Sequence, residues 1–387
     1  MTITHDQHRS AAVTSLDATT TRRTMLRRGF AFGLATPLAT SLATSLAAPL
    51  VRVAAQDSHG HDEATAEADD THGHDEATAP ADDHAADDAH GASGEHTEAP
   101  VPSGPVQPFA RFDPVLPAVE PGTKDITMVA RDATLLIAND VPYAGWTYDG
   151  TIPGRPLRVV EGDTVNVTFR VDSAANAHHS LDFHSAKAAP DVAFRTINPG
   201  EEVSWSFVAK HPGAYMYHCG TPEILMHIGA GMYGAMIVDP KEGWSPAQEL
   251  ILVQSDFYLA DGPDGVKVPD YDRMLGGRDM DYVVFNGHAS QYVDEPIRVK
   301  VGEPVRIFVV NAGPNVWSSF HVVGTIFDRA YVNASPKNEL FDLQSITIGP
   351  GDAACVEFTL EEPGTYPAVN HAFGHAAHGA IALLQAE

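Results

Sequence analysis

From about Pro105 to the C-terminus, short runs of β-branched and other apolar residues alternate with Gly, Pro and Asp. Thr134–Ile137, Leu157–Val160, Val165–Val171, Val203–Val208 and Ala235–Val238 have the length and composition of strands, with turn residues between them. This spacing predicts an all-β chain of sandwich type. The second half repeats the first: Pro156-Leu-Arg-Val-Val-Glu-Gly-Asp-Thr-Val is echoed by Pro296-Ile-Arg-Val-Lys-Val-Gly-Glu-Pro-Val, 140 residues on. Pro212-Gly-Ala-Tyr215 is echoed by Pro363-Gly-Thr-Tyr366. Two homologous sandwiches in tandem, 105–240 and 241–387, are the simplest account, joined near Pro240-Lys-Glu-Gly-Trp244.

The pattern upstream is different. Thr21-Arg22-Arg23-Thr24-Met25-Leu26-Arg27 has the form of a twin-arginine export motif. A mildly apolar Ala/Leu/Thr stretch follows from Phe30 to about Leu50, and Val53-Ala54-Ala55 offers small residues for cleavage. Residues 1–55 are therefore expected to be an export signal, which gives a periplasmic or otherwise extracytoplasmic location. Ser, Thr and Pro inside the stretch make it a poor spanning helix. Residues 56–104 read as a disordered linker: between 57 and 100 there are fourteen acidic residues, seven histidines and no Lys or Arg. The octapeptide HGHDEATA occurs there twice, at His59–Ala66 and His72–Ala79, which suits either a weak metal-collecting tail or a solvated spacer.

At 387 residues and 43% hydrophobic, the chain can bury two ordinary cores. A net charge of −27 argues against nucleic acid and anionic membranes as partners. Cys219 and Cys355 are the only cysteines, which excludes a disulfide scaffold.

The chemistry gathers around one of them. Cys219 is followed by His227 and Met232, a thiolate, an imidazole and a thioether on one turn after a strand. That is the ligand set of a copper electron-transfer site, in which a weak axial sulfur tunes the potential. A second histidine is needed, and His178-His179-Ser-Leu-Asp182-Phe-His184 supplies candidates. Side chains alternate faces along a strand, so Cys219 and His218 point opposite ways. By the same rule His179 and His184 lie on opposite faces, and Asp182 shares a face with His184. His179 can then join Cys219, while His184 and Asp182 can join His218; His178 has the wrong parity for the first role. The second cluster needs a third ligand. His371, which follows the repeated Pro-Gly-x-Tyr motif, and His321 are candidates.

From about Pro105 to its end the chain resembles a copper-containing nitrite reductase, on the segments HSLDFH, YHC, MHIGAGMYGAMIVDPKEG, YVVFNGH, SSFHVVG and VNH. The resemblance implies two cupredoxin-like Greek-key domains. It implies one Type 1 copper, held by His179, Cys219, His227 and Met232, and one Type 2 copper, held by His184, His218 and His371. Asp182 and His321 take the two catalytic positions beside the Type 2 copper, and Val323 the place of a bulky aliphatic residue above it. The expected assembly is a homotrimer, with His371 and His321 reaching the Type 2 copper of a neighbour. The implied activity is reduction of nitrite to nitric oxide, with one electron from a small donor protein, a cupredoxin or cytochrome c. In two respects the chain departs from the pattern: seven residues separate Cys219 from His227, as in a shorter-loop branch of the family, and the segment after His371 is shorter than usual and carries two extra histidines, His375 and His378.

Two other readings compete. A two-domain laccase-like multicopper oxidase needs His-x-His pairs and His-Cys-His; here Gly220 follows Cys219, and residues 105–387 contain no His-x-His. A non-catalytic copper-binding protein would have no use for Asp182 or His321.

Overall fold

The computed structural model describes residues 98–387. The expected export signal and nearly all of the acidic, His-rich linker lie outside the described residues.

Eight strands form the first half: β1 (Lys124–Ala138), β2 (Val141–Tyr148), β3 (Leu157–Val160), β4 (Thr164–Val171), β5 (Asp182–Phe183), β6 (Glu202–Val208), β7 (Gly213–His218) and β8 (Tyr233–Asp239). The second half contains β9 (Gln248–Phe257), β10 (Leu259–Asp261), β11 (Lys267–Pro269), β12 (Tyr282–Phe285), β13 (Tyr292–Val299), β14 (Pro304–Gly313) and β15 (Ser318–Val322). It ends with β16 (Phe327–Val332), β17 (Glu339–Leu343), β18 (Ile346–Ile348), β19 (Ala353–Thr359), β20 (Gly364–Asn370) and β21 (Ile381–Ala386). Helices are short: α1 (Pro190–Ala193), α2 (Ile224–Gly229), α3 (Tyr271–Gly276) and α4 (Phe373–Ala377).

The repeat in the sequence is a repeat in strand order. In the first half β3-β8-β7-β5 form one sheet, and in the second half β13-β21-β20-β15 run in the same order. The opposing sheets match as well, β2-β1-β4-β6 against β12-β9-β14-β19. In both, the second and third strands pair in parallel, β1 with β4 and β9 with β14. The chain is thus an all-β tandem of cupredoxin-like sandwiches. Local pattern does not foretell one feature: the β10–β11 hairpin, from the second half, extends the first half's sheet through Lys267 opposite Tyr143.

Each sandwich has its own core. Trp146, Phe169, Phe183 and Tyr217 fill the first, and Phe285, Tyr292, Phe320 and Phe327 the second. A third core joins them, where Ala214, Met216, Ala235 and Ile237 of β7 and β8 meet Ile251, Val253, Phe308 and Cys355 of β9, β14 and β19. Strand β8 is consequently buried on both faces along its whole length, as a strand between two packed layers must be. The two cysteines are unbridged and buried, Cys355 in this third core. At the edge of that core Arg306 lies over the Trp244 ring and binds Glu249 and Glu357, while Arg158 binds Asp239 and Glu249. Buried charges survive only when paired in this way.

Asp256 of β9 is buried and accepts the backbone N–H groups of Asn315 and Val316, each at 3.2 Å. Burial nevertheless pushes its carboxyl from 3.8 to about 6. Within that window the folded protein keeps a proton that the unfolded chain has released. The protonated Asp256 therefore contributes stability in full below the unfolded value, and loses it as pH rises through about 6. Asp256→Asn should flatten that part of the stability profile, read as urea midpoints between about pH 4 and about pH 7. Parallel profiles for the two proteins would contradict the assignment.

Candidate metal centre

Strand β7 ends at His218, and Cys219 continues it far enough to bond back: its N–H donates to Met232 O at 3.2 Å. Between these two residues the chain makes α2, which carries His227, and the Met232 N–H donates to His227 O at 3.0 Å. The expected single turn is thus a closed loop containing a short helix, pinned at both ends by backbone bonds. His179 arrives from the other side, held by reciprocal bonds with Ile197 at 3.1 and 2.9 Å. His179, Cys219, His227 and Met232 are all fully buried, whereas His178 beside them is exposed.

The donor atoms of the first three converge. His179 Nδ1 and His227 Nδ1 are 3.2 Å apart, and Cys219 Sγ is 3.5 Å from His227 Nδ1. Metal–nitrogen and metal–sulfur bonds of about 2.0 and 2.3 Å place neighbouring donors roughly 3.2–3.7 Å apart. The Nε2 atoms of both rings are buried and have no hydrogen-bond partner among the described residues. Burial, aided by His227 and His178, pushes His179 well below the ordinary imidazole value. Burial and His178 hold His227 down at about 3. Burial also raises the Cys219 thiol, against hydrogen bonds from Thr221 and Ser180. Two neutral imidazoles and a thiol packed without a counter-charge suit a soft-ligand cation such as copper, which would itself favour the thiolate. Among the described residues this is the one group of three His, Cys, Asp or Glu donors lying close enough to share an ion.

Sequence reasoning missed two neighbours. The Trp146 ring lies 4.6 Å from that of His227 and 5.3 Å from that of His179. Ser180 donates its backbone N–H to Cys219 Sγ at 3.3 Å and accepts from Gly220 N–H through Oγ at 2.9 Å. The position of Ser180 next to His179 was a usable signal. For Trp146, on a distant strand, there was none.

On the opposite face of β7, Asp182 of β5 sits directly across from His218. His184 Nε2 and His218 Nε2 face each other at 3.0 Å, with the rings perpendicular. His218 Nδ1 lies 2.9 Å from Cys219 O, so it carries the proton and Nε2 presents a lone pair. His218 turns away from Cys219 as alternation requires, yet it is only 9% exposed, because the pairing with β5 and His184 covers it. Burial first, and then His218, lower the His184 imidazole below its ordinary value.

His321 and His371 come together on the second sandwich, their rings 5.4 Å apart. His371 is exposed, as is Val323. Among the described residues no hydrogen bond or ring contact links His184 or His218 to His371 or His321 within one chain. The sequence-predicted ligands thus form one closed group and two separate pairs.

Cys219→Ala should abolish visible thiolate-to-copper absorption in the copper-loaded protein while leaving a second copper signal in electron paramagnetic resonance. Persistence of the absorption would rule out Cys219 as the sulfur ligand.

Comparison with known proteins gives the same chemistry. Residues 130–243 match the family model described as multicopper oxidase. A copper-containing nitrite reductase of Neisseria meningitidis serogroup B is 40% identical over 283 residues, 70% of this chain and 72% of that one. The one from Cereibacter sphaeroides is 29% identical over 306 residues, 72% of this chain and 80% of the relative. The solved copper nitrite reductase of Nitrosomonas europaea superposes with a TM-score of 0.65 at 38% identity, covering 68% of this chain and 94% of that one. With donors that suit copper and relatives matched across more than two thirds of both chains, this chain belongs to the copper-containing nitrite reductases.

Proposed function

We propose that the protein reduces nitrite to nitric oxide and water, consuming one electron and two protons. The observation that carries this reading is the pair of donor groups on either side of one peptide link. Cys219 belongs to the buried group with His179 and His227, and His218 to the group with His184 and Asp182. Copper, when bound at both, would supply one-electron redox chemistry and a Lewis acid for the substrate oxygens. His179, Cys219, His227 and Met232 would hold one Type 1 copper, and His184, His218 and His371 one Type 2 copper per subunit. The Cys219–His218 link is the covalent path between them.

The remaining residues handle protons. Asp182 lies across from His218, where a carboxyl can deliver a proton to an anion bound beside that imidazole. His321 Nδ1 bonds to Gln344 O, so that nitrogen is protonated and Nε2 is free for relay. Among the described residues neither His184 nor His218 meets a third metal-ligating side chain of its own chain, and His371 is exposed beside Phe373 and His321. Exposed Phe373 and Trp317, on the segments flanking that pair, offer apolar surface to a neighbouring copy. These features support a homotrimer in which His371 and His321 serve the adjacent subunit. Export through the twin-arginine-type signal would put the enzyme outside the cytoplasm, with a small cupredoxin or cytochrome c as donor.

Copper-loaded protein with a reduced dye should produce nitric oxide only when nitrite is present, measured with a nitric oxide electrode. Absence of nitric oxide would overturn the reading. Asp182→Asn should lower kcat by about a hundredfold or more, the usual range for losing a positioned proton donor.

A mixing experiment tests the shared site. His184→Ala and His371→Ala should each be inactive alone. Co-expressed, they should recover activity, because some interfaces combine an intact first sandwich with an intact second one from another chain. Mixed trimers without recovery would place the third ligand elsewhere.

A further inference from the structure

The imidazoles of His321 and His371 are not fixed by deep burial, since one is half-buried and the other exposed. Their spacing depends on the backbone beneath them, where the β15–β20 ladder ends and one buried side chain ties the two segments together. Asn370, wholly buried, accepts through Oδ1 from Ser319 N–H at 3.1 Å and from Ala372 N–H at 3.2 Å. Ser319 precedes His321 by two residues, and Ala372 directly follows His371. The His371 N–H closes the arrangement by donating to Ser319 O at 2.7 Å.

An atom that faces two N–H groups must be the oxygen, so the orientation of the amide is settled. The two hydrogens on its Nδ2 then face three acceptors, so one N–H is shared: Trp317 O at 2.9 Å, Gln254 Oε1 at 3.1 Å and His375 Nδ1 at 3.2 Å. Each must offer a lone pair. His375 therefore carries its proton on Nε2, and burial and the neighbouring His378 both favour the neutral ring. Gln254 is itself locked, donating to Asn311 Oδ1 and Val316 O, each at 3.3 Å.

We infer that Asn370 and His375 are a positioning pair that sets the spacing of His371 and His321. His375 serves as a hydrogen-bond acceptor that shares one of the two amide N–H groups, not as a metal ligand. This inference rests on the assignment of His371 and His321 to the Type 2 copper. Losing the His375 acceptor would leave only Trp317 O and Gln254 Oε1 to fix the orientation of the NH2 group, and a turn of the amide would shift both backbone segments with it.

The test uses the full-length, copper-loaded protein. His375→Leu removes the acceptor, whereas His375→Asn places a carbonyl oxygen near the former Nδ1. His375→Leu should weaken retention of the Type 2 copper against a chelator by roughly tenfold, as for other groups that orient a metal ligand. It should also change the Type 2 hyperfine pattern in electron paramagnetic resonance and raise KM for nitrite, with Type 1 absorption unaltered. His375→Asn should restore retention to within about twofold of the parent. Should His375→Leu fail to fold, Asn370→Asp carries the same test, since it keeps the shape but loses the donating NH2. Parental Type 2 retention and spectrum in these variants would overturn the inference, as would equal loss in His375→Leu and His375→Asn. A parent protein that binds no second copper would instead overturn the site assignment beneath it.

Discussion

Successive side chains leave an extended strand on opposite faces, so His218 and Cys219 cannot serve the same cavity. Pairing on both sides fixes the end of β7: His218 lies opposite Tyr233 of β8 and opposite Asp182 of β5. Cys219 is thereby driven into the core beside His179 and His227, and His218 is turned toward His184. Strand β5 is only two residues long, yet its register decides both groups at once. A slip of one residue would exchange the faces of all its side chains. Asp182 would then lose its place across from His218.

That arrangement needs a rigid backing, which the other side of the same sheet provides. Residues of β7 and β8 that turn away from the first core pack into the third, against β9, β14 and β19. The strand that brings the cysteine is thus held between two layers. Loops alone would not hold three buried donors within 4.8 Å of one another against the cost of desolvating them. The paired charges of Arg158, Asp239, Glu249, Arg306 and Glu357 tie the two sandwiches together at one edge of that layer.

Much of this was legible because it is local or periodic. The strand from Leu157 to Val160 and the repeated Pro-Gly-x-Tyr are visible as short-range patterns, and alternation sorts His178, His179 and His184 without coordinates. What could not be read depends on contacts between distant segments. Trp146 reaches both imidazoles from β2. The β10–β11 hairpin crosses to the first sandwich through a single residue pair. The role of Asn370 requires knowing that Ser319, Gln254 and His375 meet around it. No periodicity carries such information, since each of these partners sits on a different element.

The repeat puts that amide at a place with a counterpart in the first sandwich. Cys219 and Asn370 each fall seven residues beyond the proline of the repeated Pro-Gly, and both are wholly buried. Likewise His321 pairs with Val369 as Asp182 pairs with His218. The two relay residues of the proposed mechanism thus occupy equivalent places in the two sandwiches. Equivalent places pose the same problem: a strand end must hold a neighbouring side chain in fixed relation to a facing strand. In the first repeat a sulfur meets it, converging with two imidazoles on one point. In the second an amide meets it, with every donor and acceptor engaged. A buried polar atom must be satisfied by partners of either kind. The place that Cys219 holds in the first sandwich is held in the second by a hydrogen-bonded amide, and the partners that satisfy Asn370 are those that hold His371 beside His321.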